Sequence, residues 1–331
     1  MRIVLRDLYK QYAFDHGTSL PDKLLDFARA VGVWGFDIHH AEANPEWKGY
    51  SKNGYTQFLG LLKKRLRRYG LMINSMLIPS PHKFLKHEPE SEEEVERIST
   101  LIQCIGEANI PIADLDLNLD IDTFRWHKPR KHRGGYFLNA FDIQDMLKDV
   151  DRYLELNEYT SEYLWPRRLE FYEKITPVAE EFNVKIALHP PDPPVPDHLI
   201  PGRLGLLDWK RLVWEAPSRN VGVKYCVGTR YESGANIIDE INNLGRQGKI
   251  FNVHFRNVRG TLPSIGAYEE VALDDGDINM FEVIKALHKT GYDGPIGPDH
   301  APEFNDDELE RRIGRAYSVG YIKALLRVLE T

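Results

Sequence analysis

Short apolar runs alternate with amphipathic helical patterns along this chain, and no other feature limits its fold as tightly. Strand-like runs lie at 3–7, 35–40, 71–79 and 110–119, and again at 184–190, 221–228, 249–258 and 294–300. Apolar residues at helical spacing mark 19–32, 56–70, 91–109, 165–183, 208–216, 235–248, 279–291 and 306–329. Ser19 is placed to cap the first helix and Gly32 to stop it. Ser91, followed by acidic residues, is placed to open the third. Such alternation implies a parallel sheet joined by right-handed crossovers. Eight strands predict an α/β chain closed into a (β/α)8 TIM barrel, and one such domain over 1–331 suits the length. An open doubly wound sheet fits less well, because no Gly-x-Gly-x-x-Gly follows the first strand.

The rhythm breaks once, after the fourth strand. Residues 120–164 form an inserted segment too long for a simple connection. It begins with Trp126, a basic run at 128–133 read as loop, and Tyr136 and Phe137; a polar, helix-patterned stretch follows. Its aromatic content predicts an ordered flap.

Each of the last four strands ends in a side chain that can bind a metal: His189, Cys226, His254 and Asp299. Their spacings of 37, 28 and 45 residues match one strand, one helix and their loops. In a parallel barrel the carboxyl ends of successive strands share one mouth, where active sites lie. Two imidazoles, a thiolate and a carboxylate suit a divalent transition ion such as Zn²⁺, Mn²⁺ or Fe²⁺. By period-two alternation Arg256 faces the same way as His254, placed either to fork onto a substrate carboxylate or to pair with a neighbouring acid. His300, next to Asp299, points elsewhere and suits proton transfer. The stiff loop opened by His189 brings Asp192, with Arg203 beyond it, as polar groups for a small ligand. Cys104 and His288 lie on apolar helix stripes and His82, His87 and His198 in loops, so none of these receives a metal role.

Acidic and basic residues are interspersed, with a net charge of −7, which argues against a nucleic-acid partner. The only two cysteines, Cys104 and Cys226, lie in differently patterned segments, as expected in a reducing compartment. The absence of a signal-like start or a long apolar run predicts a cytoplasmic protein without a membrane partner.

HPPDPP at 189–194, CVG at 226–228, NVHFRNVR at 252–259, LDDGDINMFEVIKAL at 273–287 and PDH at 298–300 together resemble the mannonate dehydratases, enzymes of hexuronate breakdown. The likeness spans most of the chain and is most specific from His189 to His300. It implies a xylose-isomerase-like barrel, with 120–164 as the family's insertion. It also implies Mn²⁺-dependent dehydration of a sugar acid, D-mannonate, to 2-keto-3-deoxy-D-gluconate; Fe²⁺ or another divalent ion is the alternative cofactor. The implied metal ligands are His189, Cys226, His254 and Asp299, with His300 and Arg256 catalytic. Asp192, Arg203, Trp126 and Lys128 (with Arg130 as a second basic candidate) are then expected around the substrate, and a homodimer as the assembly. Two departures stand out. Pro191 replaces the first Asp of the family's His-Pro-Asp-Asp-Pro-Pro, and no Pro-Gly-Tyr-Gly segment precedes the last helix, where the tyrosine position falls near Glu310. Tyr317 and Tyr321 follow on that helix and are read as packing residues. Two other readings stay open: a sugar isomerase or epimerase of the same superfamily, and a sugar-acid-binding homologue with weak catalysis.

Overall fold

A computed structural model describes residues 1–8, 20–39, 51–119, 123–149, 158–200, 202–205, 208–307, 309 and 311–330. In its first half, β1 (Arg2–Arg6), α1 (Asp22–Ala30), β2 (Gly35–Ile38), α2 (Lys52–Arg68), β3 (Met72–Leu77), α3 (His82–Leu85), α4 (Ser91–Glu107) and β4 (Ile112–Leu115) follow one another. The insertion supplies β5 (Lys128–Lys131), β6 (Phe137–Asp142) and α5 (Ile143–Leu147). Then come α6 (Ser161–Glu181), β7 (Lys185–Leu188), α7 (Asp208–Glu215), β8 (Val221–Cys226), α8 (Val227–Glu232), α9 (Ile237–Arg246) and β9 (Ile250–His254). β10 (Asn257–Arg259), α10 (Leu262–Ile265), β11 (Ala267–Val271), α11 (Met280–Lys289), β12 (Pro295–Gly297) and α12 (Arg312–Val328) complete the chain.

β1, β2, β3, β4, β7, β8, β9 and β12 close into a parallel barrel, as the alternation predicts. Period two divides each strand between two environments. On β4, Ala113 and Leu115 join the main apolar core under the helices, while Ile112 and Asp114 face the other way. The barrel interior is therefore layered. Ile112, Ala187 and Phe251 form a small apolar cluster of their own. Gly222 makes room for it, since a Cβ there would meet the Phe251 ring and the Lys249 carbonyl. Asp37, Asn74, Asp114, Lys224 and Asn252 are buried beyond this layer and bond to one another.

Several boundaries differ from the sequence expectation. The Ser19 cap lies outside the described residues. Glu90, in the left-handed region, occupies the N-cap of α4, and Ser91 is its first helical residue. α2 starts at Lys52 behind Ser51, and α6 at Ser161 behind Thr160; both caps accept a backbone N–H. α12 starts only at Arg312. His82 opens the short helix α3 and does not sit in a loop.

The larger correction concerns the insertion. The 128–133 run contains a strand, and β5–β6 extend the β10–β11 hairpin into a four-stranded antiparallel sheet in the order β10-β11-β6-β5. Of the helix-patterned stretch, Ile143–Leu147 is helical and 150–157 lies outside the described residues. Trp126, Phe141, Met146 and Tyr268 pack on Val195 and Ile200, fastening this sheet to the loop after His189. Among the described residues no helix is long and apolar enough to cross a membrane.

α12 approaches the segment after His300 so closely that a Cβ on Gly314 would run into the Pro302 carbonyl oxygen, whereas Gly320 on the same helix has open space. Gly314→Ala should therefore destabilise by about 2–3 kcal/mol through overpacking. Gly320→Ala should stabilise by roughly 0.5–1 kcal/mol through helix propensity. Urea denaturation of both variants checks the opposite signs.

Candidate metal centre

The barrel brings the four strand-end residues together. His189 directly follows β7, and its N–H donates to the Leu115 carbonyl at 3.0 Å, continuing the ladder. Cys226 and His254 end β8 and β9 and face each other in register. The ligand atoms of His189, Cys226 and His254 all lie within 4.8 Å of one another. Asp299, two residues past β12, places Oδ2 3.3 Å from His254 Nδ1, and its Oδ1 accepts from Arg6 Nη1 at 3.2 Å.

This donor set fits a divalent cation. His189 Nε2 and His254 Nδ1 are buried and, among the described residues, make no hydrogen bond, Asp299 being the nearest acid to the latter at 3.3 Å. Buried polar atoms are seldom left so. Burial pushes the His189 imidazole down, and holds that of His254 down at about 3 despite Asp299, so both offer a lone pair. Burial raises the Asp299 carboxyl, but His254, His300 and Arg6 outweigh it and hold it well below the usual range. Burial pushes the Cys226 thiol up, opposed chiefly by Arg256. Thr229 Oγ1 (3.1 Å) and Arg256 Nε (3.3 Å) both donate to its sulfur.

Arg256 does not present a fork to solvent. Its guanidinium is buried and donates to Asp192 Oδ2 at 2.9 Å, Glu270 Oε1 at 3.3 Å and Glu232, besides the sulfur. The neighbouring-acid alternative is the one the structure shows. Asp192 is engaged likewise: Oδ2 lies 3.3 Å from Thr229 Oγ1, whose single proton it shares with the Cys226 sulfur, and Oδ1 accepts from the Tyr268 hydroxyl at 3.4 Å. Burial raises its carboxyl, but Arg256 and three histidines outweigh this and bring it to about 2.

His300 is clamped. Its Nδ1 lies 2.8 Å from Glu270 Oε1, while Nε2 lies 3.7 Å from Asp299 Oδ2. Glu270 comes from β11, where Tyr268 and Glu270 share the buried face and Glu269 the other. The second sheet thus orients the histidine. Arg203 is buried too, and its Nε and Nη1 have no hydrogen-bond partner among the described residues. Burial pushes its pKa down against the pull of Asp116 and Asp192.

Two expected substrate contacts go elsewhere. Lys128 stands on the exposed face of β5 and pairs with Asp145 at 2.6 Å, because an edge-strand lysine keeps its charge in water; Arg130 pairs with Glu269. The Trp126 ring is buried in the apolar contact beneath the second sheet, its indole N–H donating to Asp149 at 3.3 Å. Glu310 lies outside the described residues. Tyr317 stacks on Tyr321, with ring centroids 6.5 Å apart, and Tyr321 packs against the main apolar core. The phenol brought to the cluster is Tyr268, 2.9 Å from His127 Nε2.

No motif in the sequence marks Glu270, Glu232 or the Asp37–His39–Asp114–Lys224 group. Alternation was the available signal: Lys224 shares its face with Cys226, and Glu270 with Tyr268.

The closed parallel barrel gives the chain the (β/α)8 fold, of the xylose-isomerase-like kind. A xylose isomerase domain protein from Alicyclobacillus acidocaldarius superposes with a TM-score of 0.61 at 17% identity, covering 100% of this chain and 99% of that one. Within this class the family is defined by sequence. A family model described as D-mannonate dehydratase (UxuA) matches residues 139–331, and the chain belongs to that family. Mannonate dehydratase 2 of Halalkalibacterium halodurans is 35% identical over 165 residues, 49% of this chain and 46% of that protein. The mannonate dehydratase of Brachyspira hyodysenteriae is 32% identical over 199 residues, 57% of this chain and 52% of its own length. The chain thus spans about half the length of the curated relatives it matches. The crystal structure of mannonate dehydratase from Streptococcus suis serotype 2 shares the fold throughout, with a TM-score of 0.81 at 24% identity over 100% of this chain and 95% of that one.

Arg256→Met should cost stability first, because it leaves several buried carboxylates without their cation; breaking such a group costs about 3–5 kcal/mol. Denaturant unfolding of the metal-free protein measures this, and an unchanged midpoint would contradict it. A second prediction follows from His254. An unfolded histidine titrates near ~6.5 and binds protons the native imidazole refuses, so its contribution is present above that pH and lost as pH falls toward about 3. The depressed carboxylates act mainly below roughly pH 5 and are common to both proteins compared. Between pH 6 and 5 the metal-free His254→Asn variant should therefore show a stability slope shallower by up to about 1.4 kcal/mol per pH unit. Equal slopes would show that His254 is not held neutral.

Proposed function

We propose that the chain catalyses the metal-dependent dehydration of a sugar acid, most specifically D-mannonate to 2-keto-3-deoxy-D-gluconate and water. The observation that carries this reading is the convergence of His189, Cys226, His254 and Asp299 beside a histidine, His300, whose Nδ1 is already engaged by Glu270. Mn²⁺ is the ion favoured by the family resemblance, and Fe²⁺ also suits the donors. When bound, the ion supplies Lewis acidity toward a chelating carboxylate and hydroxyl.

The chain's own residues supply the remaining functions. The C2 proton of an aldonate is too weakly acidic for an unassisted base, so charge must be stabilised as it develops. With Glu270 fixing Nδ1–H, His300 presents Nε2 as the atom that takes the C2 proton or returns one to the departing C3 hydroxyl. Loss of that hydroxyl as water leaves an enol that becomes the 2-keto product. Arg203, whose buried Nε and Nη1 find no partner among the described residues, is the group assigned to the substrate carboxylate in place of Arg256. Arg256 and Thr229 hold Cys226 in position through its sulfur.

The test is incubation of the Mn²⁺-loaded protein with D-mannonate and a panel of other aldonates, followed by assay for a 2-keto-3-deoxy acid. Cys226→Ala should lose both bound manganese and product. Arg203→Met should keep its manganese while kcat/KM falls by roughly 10²-fold, about the value of a charge-assisted hydrogen bond. A ketose or epimer formed without loss of water would overturn the dehydratase reading in favour of an isomerase. Thermal stabilisation by aldonates without turnover would reduce the chain to a sugar-acid-binding protein.

A further inference from the structure

Beneath the mouth lies a second convergent group that the proposed reaction does not use. Lys224 sends its ammonium into the barrel, where Nζ is 2.7 Å from Asp114 Oδ2, 2.7 Å from His39 Nε2 and 3.4 Å from Asp37 Oδ2. Asp37 is held from the other side by Asn74 Nδ2 at 2.5 Å and Asn252 Nδ2 at 2.9 Å, and Asp114 by the Ser75 hydroxyl. These partners come from β2, β3, β4 and β9, so the acceptors are positioned by the barrel itself and not by Lys224. Two carboxylates face one ammonium. Asp114 Oδ1 is buried and has no hydrogen-bond partner among the described residues. The ligand atoms of Asp37, His39 and His254 lie within 4.8 Å of one another, the same closeness as in the group at the mouth.

We propose that this is a cation pocket which the chain fills with its own Lys224 ammonium, and that a divalent ion enters it when that side chain is shortened. Hard oxygen donors with one imidazole suit Mn²⁺ or Mg²⁺. A dication would neutralise the two carboxylates, and a lysine, tethered to β8 two residues before Cys226, does so in part without dissociating. His254 stands at the border of both groups, so the ammonium places a permanent positive charge under the mouth where a second metal ion would otherwise sit. On this view the native chain takes one metal ion fewer than its donor groups would allow.

The test compares manganese content, by elemental analysis after saturation with Mn²⁺ and removal of excess, in the full chain, Lys224→Ala and the double variant Lys224→Ala/Asp37→Asn. Lys224→Ala should hold one ion per chain more than the native protein, and the double variant should lose that ion again. Equal content in the native protein and a folded Lys224→Ala overturns the proposal, as does retention of the extra ion without Asp37. Because the readout is a difference, it stands apart from the mouth: if the mouth binds nothing, the expected counts are zero and one in place of one and two. Should Lys224→Ala fail to fold in metal-free buffer, refolding is repeated with Mn²⁺. Folding that requires the ion supports the pocket, and failure with the ion present counts against it.

Discussion

The site depends on one buried cation, the guanidinium of Arg256. It reaches Glu232 on α8, Glu270 on β11, Asp192 in the loop after β7 and the sulfur of Cys226 at the end of β8. Parts of the chain far apart in sequence are held in one geometry because these acids share a single counter-charge away from water. Removing one partner from such a group exposes the others to an uncompensated burial, which makes the arrangement specific as well as costly to alter. Gly228 belongs to the same device, since a Cβ there would collide with the Arg256 side chain.

Below this cation the barrel interior changes character in steps. An apolar layer around Phe251 seals the lower interior, a polar layer around Lys224 and Asp37 follows, and the strand ends with His189, Cys226 and His254 complete the mouth. The second sheet completes the site from outside the barrel. It delivers Glu270 to His300 and Tyr268 to Asp192 from β11, and the insertion contributes by pairing β6 with that strand.

Much of this was legible before any coordinates. The alternating periods located the eight barrel strands, and the residues at the ends of the last four pointed to one mouth, because a parallel barrel leaves its strand ends no other place to go. Boundaries were less legible where capping decided them, as at Glu90, whose left-handed backbone no residue type announced. The sheet made by β5, β6, β10 and β11 was missed for a related reason. Its strands are short, and β5, Lys128–Lys131, is charged and exposed along its length, so no apolar alternation marked that edge.

The sequence by itself determined the order of the barrel strands, the residues that stand at their ends and the family, since each rests on local periodicity or on residues within a short motif. Tertiary structure alone decided which charges meet. Whether Arg256 faces a substrate or Glu232, and whether Lys224 faces solvent or Asp114, depends on partners 24 and 110 residues away. Such pairings follow from how barrel closure and sheet pairing stack distant segments, and no local pattern encodes them. His189, Cys226, His254 and Asp299 could therefore be read from the chain, while the electrostatic surroundings that shape their chemistry became visible only once the barrel was closed.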